Sequence, residues 1–296
     1  MIRSLHAPIG QEVDLGWVRL SPDLIRRYHA AMFGHDGGNT ADLPLGLALT
    51  LRGGPRPTVE PDANTVSVHA GHALQVHAAL ALGAHYRVRG RIATVCEKTG
   101  RSGLLTVITR TASLRDVRGD LAVEVEDQQI VRRIGTSPAQ APDERPSSPI
   151  DRPPMPLPPQ IDIGVMIGVE HRMAPDPSMV RQYATLLAER EPMFLDSTAA
   201  QGLGFAGVIV PGPMQAALME RMLRSRLAEW RLVQMSFSFR ISVYAGEAIE
   251  MSGLVTDRAT AQGIERLALD VWIDNANGER AAVGSARLLR DLKAQS

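Results

Sequence analysis

Nine of the chain's twenty prolines fall between residues 136 and 160, in TSPAQAPDERPSSPIDRPPMPLPPQ. Proline has no N–H to offer a sheet or helix interior, so this stretch can be neither. It reads as a stiff, partly polyproline connector. Met155 and Leu157 give it apolar side chains to lay against the body. The connector divides the 296 residues into an N-terminal half, 1–135, and a C-terminal half, 161–296, joined by a linker over 136–160. Each half is long enough for one domain of ordinary size.

The halves share a rhythm. In the first, SPDLIRRYHAAMFG predicts a helix, with Ser21 as N-cap, Pro22 at the first helical position, and Leu24, Ile25, Tyr28 and Met32 spaced along one face. Four strand-like runs follow: NTVSVHAGHALQVHAAL, HYRVRGRIATVCEK, LLTVITRTASLRD and LAVEVEDQQIVRR, separated by turn signals such as KTGRSG and DVRGD. In the second, PDPSMVRQYATLLAER predicts a helix, and a longer one spans about 213–228. Four more strand-like runs come after it: RLVQMSFSFRISV, AIEMSGLVTDR, ERLALDVWIDN and RAAVGSARLL. A helix followed by a long antiparallel sheet, twice over, outlines an α+β double hotdog, in which each sheet wraps a helix. The longer helix is apolar around most of its circumference at Ala216–Met219, Met222 and Leu223, as an enclosed helix must be. The first half has no equivalent between Gly46 and Val66, so its central helix is expected to be shortened or missing.

Composition narrows the function. Apolar residues make up 44% and aromatics 4%, so small aliphatic side chains fill the core. Lys+Arg and Asp+Glu are 32 each, a balance that gives no electrostatic case for nucleic acid or an anionic membrane as partner. With no apolar leader and no run of about 18 apolar residues, a cytoplasmic protein is expected. Cys96 alone forms neither an internal disulfide nor a zinc site, and its alternating surroundings predict a buried or half-buried strand position.

These segments resemble the MaoC-type double-hotdog (R)-specific hydratases and dehydratases of acyl thioesters. The mesaconyl-CoA hydratase-like branch, in which a modified dehydratase domain precedes a regular one, is the nearest. In the first half the resemblance rests on VHAGHALQVHAAL, VCEKTGRSGLLTVITR and LAVEVEDQQIVRR. In the second it rests on the helix and loop ahead of Asp196 and on GFAGVIVPGPMQAALM, similar to the family's G-Y/F-x-G-x-V-x-H-G-P-x-Q-A. It implies syn addition or removal of water at a 2,3-enoyl or 3-hydroxyacyl thioester, carried by CoA or a carrier protein, without a cofactor. A homodimer is a further possible assembly.

Carried over by position, Gly212 falls on the glycine whose backbone N–H polarises the thioester carbonyl, and Pro192 on the loop proline. Glu189 takes the place of the catalytic Asp, and Glu191 that of the loop Asn. Phe194, Val210, Pro211 and Met214 are the expected substrate-contacting positions. Phe194 stands where the family's D-x-N-P-x-H motif has its histidine, and a phenyl ring transfers no proton. Three readings stay open: a hydro-lyase using Glu189, with Glu191, in a desolvated setting; a hotdog enzyme turned to another addition or cyclisation; and a non-catalytic acyl-binding protein.

Other candidates carry less. His69, His72 and His77 lie close together, but strict alternation turns His72 to the face opposite the other two, so no metal site is expected. His77 matches a family position that is not a ligand. His35, beside Asp36 and Asn39, is a loop histidine; His171 ends a strand-like run; the Ser of GRSG sits in a hairpin turn. Arg221, Arg224, Arg226 and Arg231 read as the exposed end of the long helix, with CoA phosphates as the alternative role.

Overall fold

The computed structural model describes residues 8–33, 43–51, 53, 64–100, 103–134, 156, 158, 160–168, 174–188 and 191–292. The connector expected over 136–160 lies almost wholly outside them. The first half runs β1 (Val13–Arg19), α1 (Pro22–Phe33), a 3₁₀ turn (Leu45–Thr50), β2 (Thr65–Val76), β3 (His85–Gly100), β4 (Gly103–Arg115) and β5 (Leu121–Arg133). The second opens with β6 (Met166–Ile167), α2 (Pro177–Leu186), a 3₁₀ turn (Pro192–Phe194), α3 (Ser197–Gly202) and α4 (Gly212–Arg226). It closes with β7 (Arg231–Phe239), β8 (Glu250–Ala261), β9 (Ile264–Asp274) and β10 (Arg280–Asp291). The eight strand-like runs and three expected helices are all present.

All ten strands form one antiparallel sheet in the order β1-β3-β4-β5-β2-β7-β10-β9-β8-β6. The order of the second half is that of the first reversed, strand for strand, about the β2–β7 junction. There Gly71 lies opposite Ser238 and Gln75 opposite Gln234. Two hotdog units thus share one sheet. The first helix of each is started by a side-chain cap: Ser21 Oγ accepts the Leu24 N–H at 3.2 Å, and Asp176 Oδ1 accepts that of Ser178 at 2.7 Å. These two helices pack on one another through Tyr28 and Tyr183, fully buried with ring centroids 6.3 Å apart.

The asymmetry between the halves lies in their central helices. Every residue of α4 from Gly212 to Glu220 is buried, so the helix needs apolar or paired side chains on all sides. Among the described residues of the first half the equivalent place holds the turn Leu45–Thr50, also wholly buried and packed on α4. Gly46 makes this approach possible, because a Cβ there would meet Ala217 Cβ at 2.8 Å and the Tyr28 hydroxyl at 2.6 Å. The turn starts at Pro44, which offers no side-chain cap. Its first N–H groups, from Leu45 and Gly46, donate instead to the Glu220 carboxylate of α4 at 2.6 and 2.5 Å. Among the described residues no helix is long and apolar enough to cross a membrane.

Candidate active site

A cavity of about 160 Å³ lies between the halves. Val68 and His69 of β2 and Ile130 of β5 form its first-half wall. The second half contributes Met193 and Phe194 of the 3₁₀ turn, Val210, Gly212 and Gln215 around the start of α4, and Phe239 at the end of β7. Prolines flank Gly212. Pro213 has no N–H, and the Met214 and Gln215 amides turn back to the Pro211 carbonyl at 3.0 and 3.1 Å. The Gly212 N–H takes part in no backbone hydrogen bond among the described residues, and it sits at the positive end of a 15-residue helix. A donor so placed suits an oxygen that gains negative charge during a reaction. Gln215, 3% exposed, donates Nε2 to the Val210 carbonyl at 3.1 Å. Its Oε1 has no hydrogen-bond partner among the described residues.

Opposite this amide the sheet departs from regular alternation. The register of β2 on β5 slips between His69 and Gly71, a β-bulge. The slip brings His69 and His72 to one face with ring centroids 5.6 Å apart, correcting the expectation that they face opposite ways. His72 lies opposite Asp127 of β5, and Asp127 opposite Arg110 of β4, so the three form a cross-strand row. Asp127 Oδ1 is 3.3 Å from His72 Nε2 and 3.7 Å from His69 Nε2, and its Oδ2 is 3.7 Å from Arg110 Nη1. All four side chains are at least nine-tenths buried. His72 Nδ1 donates to the Glu126 carbonyl at 3.2 Å, and Arg110 donates to Gln129 at 2.8 Å. The His69 ring stacks on Phe194, centroids 6.2 Å apart and planes 29° apart. Among the described residues His69, His72 and Asp127 form the one group whose donor atoms converge as metal ligands would.

The other expected site residues are placed as follows. Phe194, Val210 and Gly212 line the cavity. Pro211 is buried as the N-cap of α4, and Met214 is fully buried in the core instead of the cavity wall. Glu191 is exposed at the start of the 3₁₀ turn and does not line the cavity. Glu189, His35, Asp36, Asn39, His171 and the Ser of GRSG lie outside the described residues. His77 pairs with Glu124 at 2.9 Å, away from the cluster. Arg221 and Arg224 reach back to the first half, donating to the Met32 and Leu43 carbonyls at 3.3 and 3.2 Å. Cys96 is on a strand but exposed, as are Thr94 and Glu97–Thr99 beside it. Asp127 and Arg110 carry no motif of their own in the sequence. The signal that could have found their partners is Gly71, an isolated glycine inside a strand pattern, which marks a bulge.

Residues 134–272 match the model of the MaoC like domain. Over 172 residues the chain is 27% identical to mesaconyl-C(4)-CoA hydratase of Chloroflexus aurantiacus, an alignment covering 58% of this chain and 54% of the relative. The chain thus spans about half the length of the curated relative it matches. A solved MaoC-like dehydratase superposes with a TM-score of 0.72 at 13% identity, over 96% of this chain and 98% of its own. A double-hotdog protein of Mycobacterium tuberculosis superposes with a TM-score of 0.60 at 15% identity, over 96% of each chain. Sheet order and enclosed helix give the chain the double-hotdog fold of these structures, and its residues 134–272 are similar to the MaoC like domain.

Proposed function

We propose that the protein is an acyl-thioester hydratase or dehydratase, adding water to a 2,3-enoyl group or removing it from a 3-hydroxyacyl group carried on CoA or a carrier protein. The observation that carries this reading is the cavity opening on the Gly212 N–H. A thioester oxygen seated there accepts from that amide and gains from the helix dipole as the enolate forms. The MaoC like domain match and the name of the C. aurantiacus relative, a CoA-thioester hydratase, point to the same substrate class. No cofactor is needed, since the chemistry consists of proton transfers around a polarised carbonyl.

Phe194 favours a second reading, a non-catalytic acyl-thioester-binding protein, because that position of the turn carries no titratable group. Incubating the protein with but-2-enoyl-CoA and longer 2-enoyl-CoA esters separates the two. Loss of the enoyl absorbance with formation of the 3-hydroxyacyl ester is the expected result. Saturable binding of butyryl-CoA with no hydration of any enoyl ester supports the binding protein instead.

A further inference from the structure

We propose that His69, supplied by the first half across the cavity, is the proton-transferring residue of this site, with Asp127 as the residue that positions it. The proposal rests on the hydratase reading above. In the second half the turn facing the cavity presents Phe194, and the imidazole stacked on that ring belongs to β2. His69 and Gly212 thus face one space from opposite halves. The bulge matters here because regular pairing would turn one of His69 and His72 away from Asp127.

The cluster also separates the roles of its two histidines. His72 uses Nδ1 to donate to the Glu126 carbonyl and holds Nε2 toward Asp127, so both its nitrogens are directed at the protein. His69 is the cluster member that lines the cavity. A carboxylate 3.7 Å from the imidazole nitrogen in a buried space stabilises the cation formed when the ring takes a proton. Arg110 already places a positive charge 3.7 Å from the other oxygen of this carboxylate. A divalent ion held by the two imidazoles and Asp127 would set three positive charges against one negative in a buried space. The balance of charge therefore favours a proton over a metal ion as the species shared by this cluster.

The step balances with water alone as co-substrate. His69 removes a proton from water as the water oxygen bonds to C3 of the enoyl thioester. The C2=C3 electron pair moves toward the carbonyl, whose oxygen becomes the enolate oxygen held by the Gly212 N–H. The enolate collapses and C2 takes the proton back from the His69 imidazolium, leaving a 3-hydroxyacyl thioester and a neutral imidazole. One group serving both proton transfers delivers both hydrogen and hydroxyl to the same face.

The test compares wild type, His69→Gln, Glu189→Gln and Asp127→Asn in hydration of but-2-enoyl-CoA, with butyryl-CoA affinity and thermal unfolding measured alongside. His69→Gln should lower kcat at least about a hundredfold, the usual worth of a general base, while KM and butyryl-CoA affinity stay unchanged. It should also remove the limb of the rate–pH profile that reports the imidazole. Asp127→Asn should lower kcat and move that limb to lower pH, since the imidazolium loses its counter-charge; this shift carries the test should His69→Gln fail to fold. Wild-type kcat in His69→Gln overturns the proposal and leaves the hydratase reading standing. So does a hundredfold loss confined to Glu189→Gln, or activity abolished by a chelator and restored by zinc. A wild-type protein that hydrates no enoyl ester overturns both.

Discussion

Replacing Glu220 by alanine should lower the stability of the protein by about 3–5 kcal/mol, the range for removing one partner of a buried ionic contact. Glu220 is 1% exposed in the middle of α4. Its two oxygens take the Leu45 and Gly46 N–H groups, and Arg224 lies 3.5 Å from one of them. Alanine leaves two buried amides without acceptors, each a penalty of about 1–3 kcal/mol, and removes the counter-charge of Arg224. The effect falls on the contact between halves, because the capped turn belongs to the first and the helix to the second. Glutamine keeps one acceptor and turns an NH₂ group toward the other amide, so its effect should be intermediate. Burial outweighs the two amides and Arg224, and holds the Glu220 carboxyl above the ordinary glutamate range. Folding therefore favours the protonated form, and this group's contribution to stability declines as pH rises from the unfolded value through the raised folded one. Urea unfolding followed across that range for wild type and the glutamine variant should show a gap that narrows as pH rises.

Replacing Gly212 by valine should lower turnover of the enoyl ester about 10²–10³-fold, the loss typical of an oxyanion-stabilising donor. The amide itself survives the substitution, but a Cβ at this position would lie 2.5 Å from the Phe239 ring. The valine side chain would take up room at the cavity wall that Gly212 leaves open. Phe239 lines the same cavity and is the group that can yield. Combining Gly212→Val with Phe239→Ala should then recover part of the loss, a coupling that two independent defects would not show. An unfolding midpoint close to wild type in the single variant would keep the effect on the site and not on the fold.

The fold was readable because its signals are local and repeated. Alternation in eight runs, the Ser21 cap and one all-round apolar helix each follow from a few neighbouring residues. The sheet order follows from pairing two such units edge to edge. The start of α4 was readable for the same reason, from its apolar run, whereas Gly212 as a site residue came from the likeness of GFAGVIVPGPMQAALM to the family motif. The His69 cluster was not. A period-2 strand turns residues 69 and 72 to opposite faces, and only the extra residue of the bulge, Ala70 beside Gly71, reverses that. Asp127 and Arg110 lie far along the chain, and register alone brings them to His72. Glu220 was hidden for a related reason: on the sequence ALMERM a glutamate reads as a solvated helix residue, and only the Leu45–Thr50 turn lying over it makes it a buried cap. Cys96 shows the converse, since alternation marks a strand but does not say whether anything covers it.

The most direct test of a carbonyl held at the start of α4 and faced by His69 is a crystal structure with butyryl-CoA, a saturated ester that binds without being hydrated. The thioester oxygen is expected about 2.7–3.1 Å from the Gly212 nitrogen, as for an oxyanion donor, with C2 and C3 turned toward the His69 ring. An acyl group bound elsewhere, or a Gly212 amide sealed from it by Phe194 and Phe239, would contradict that arrangement.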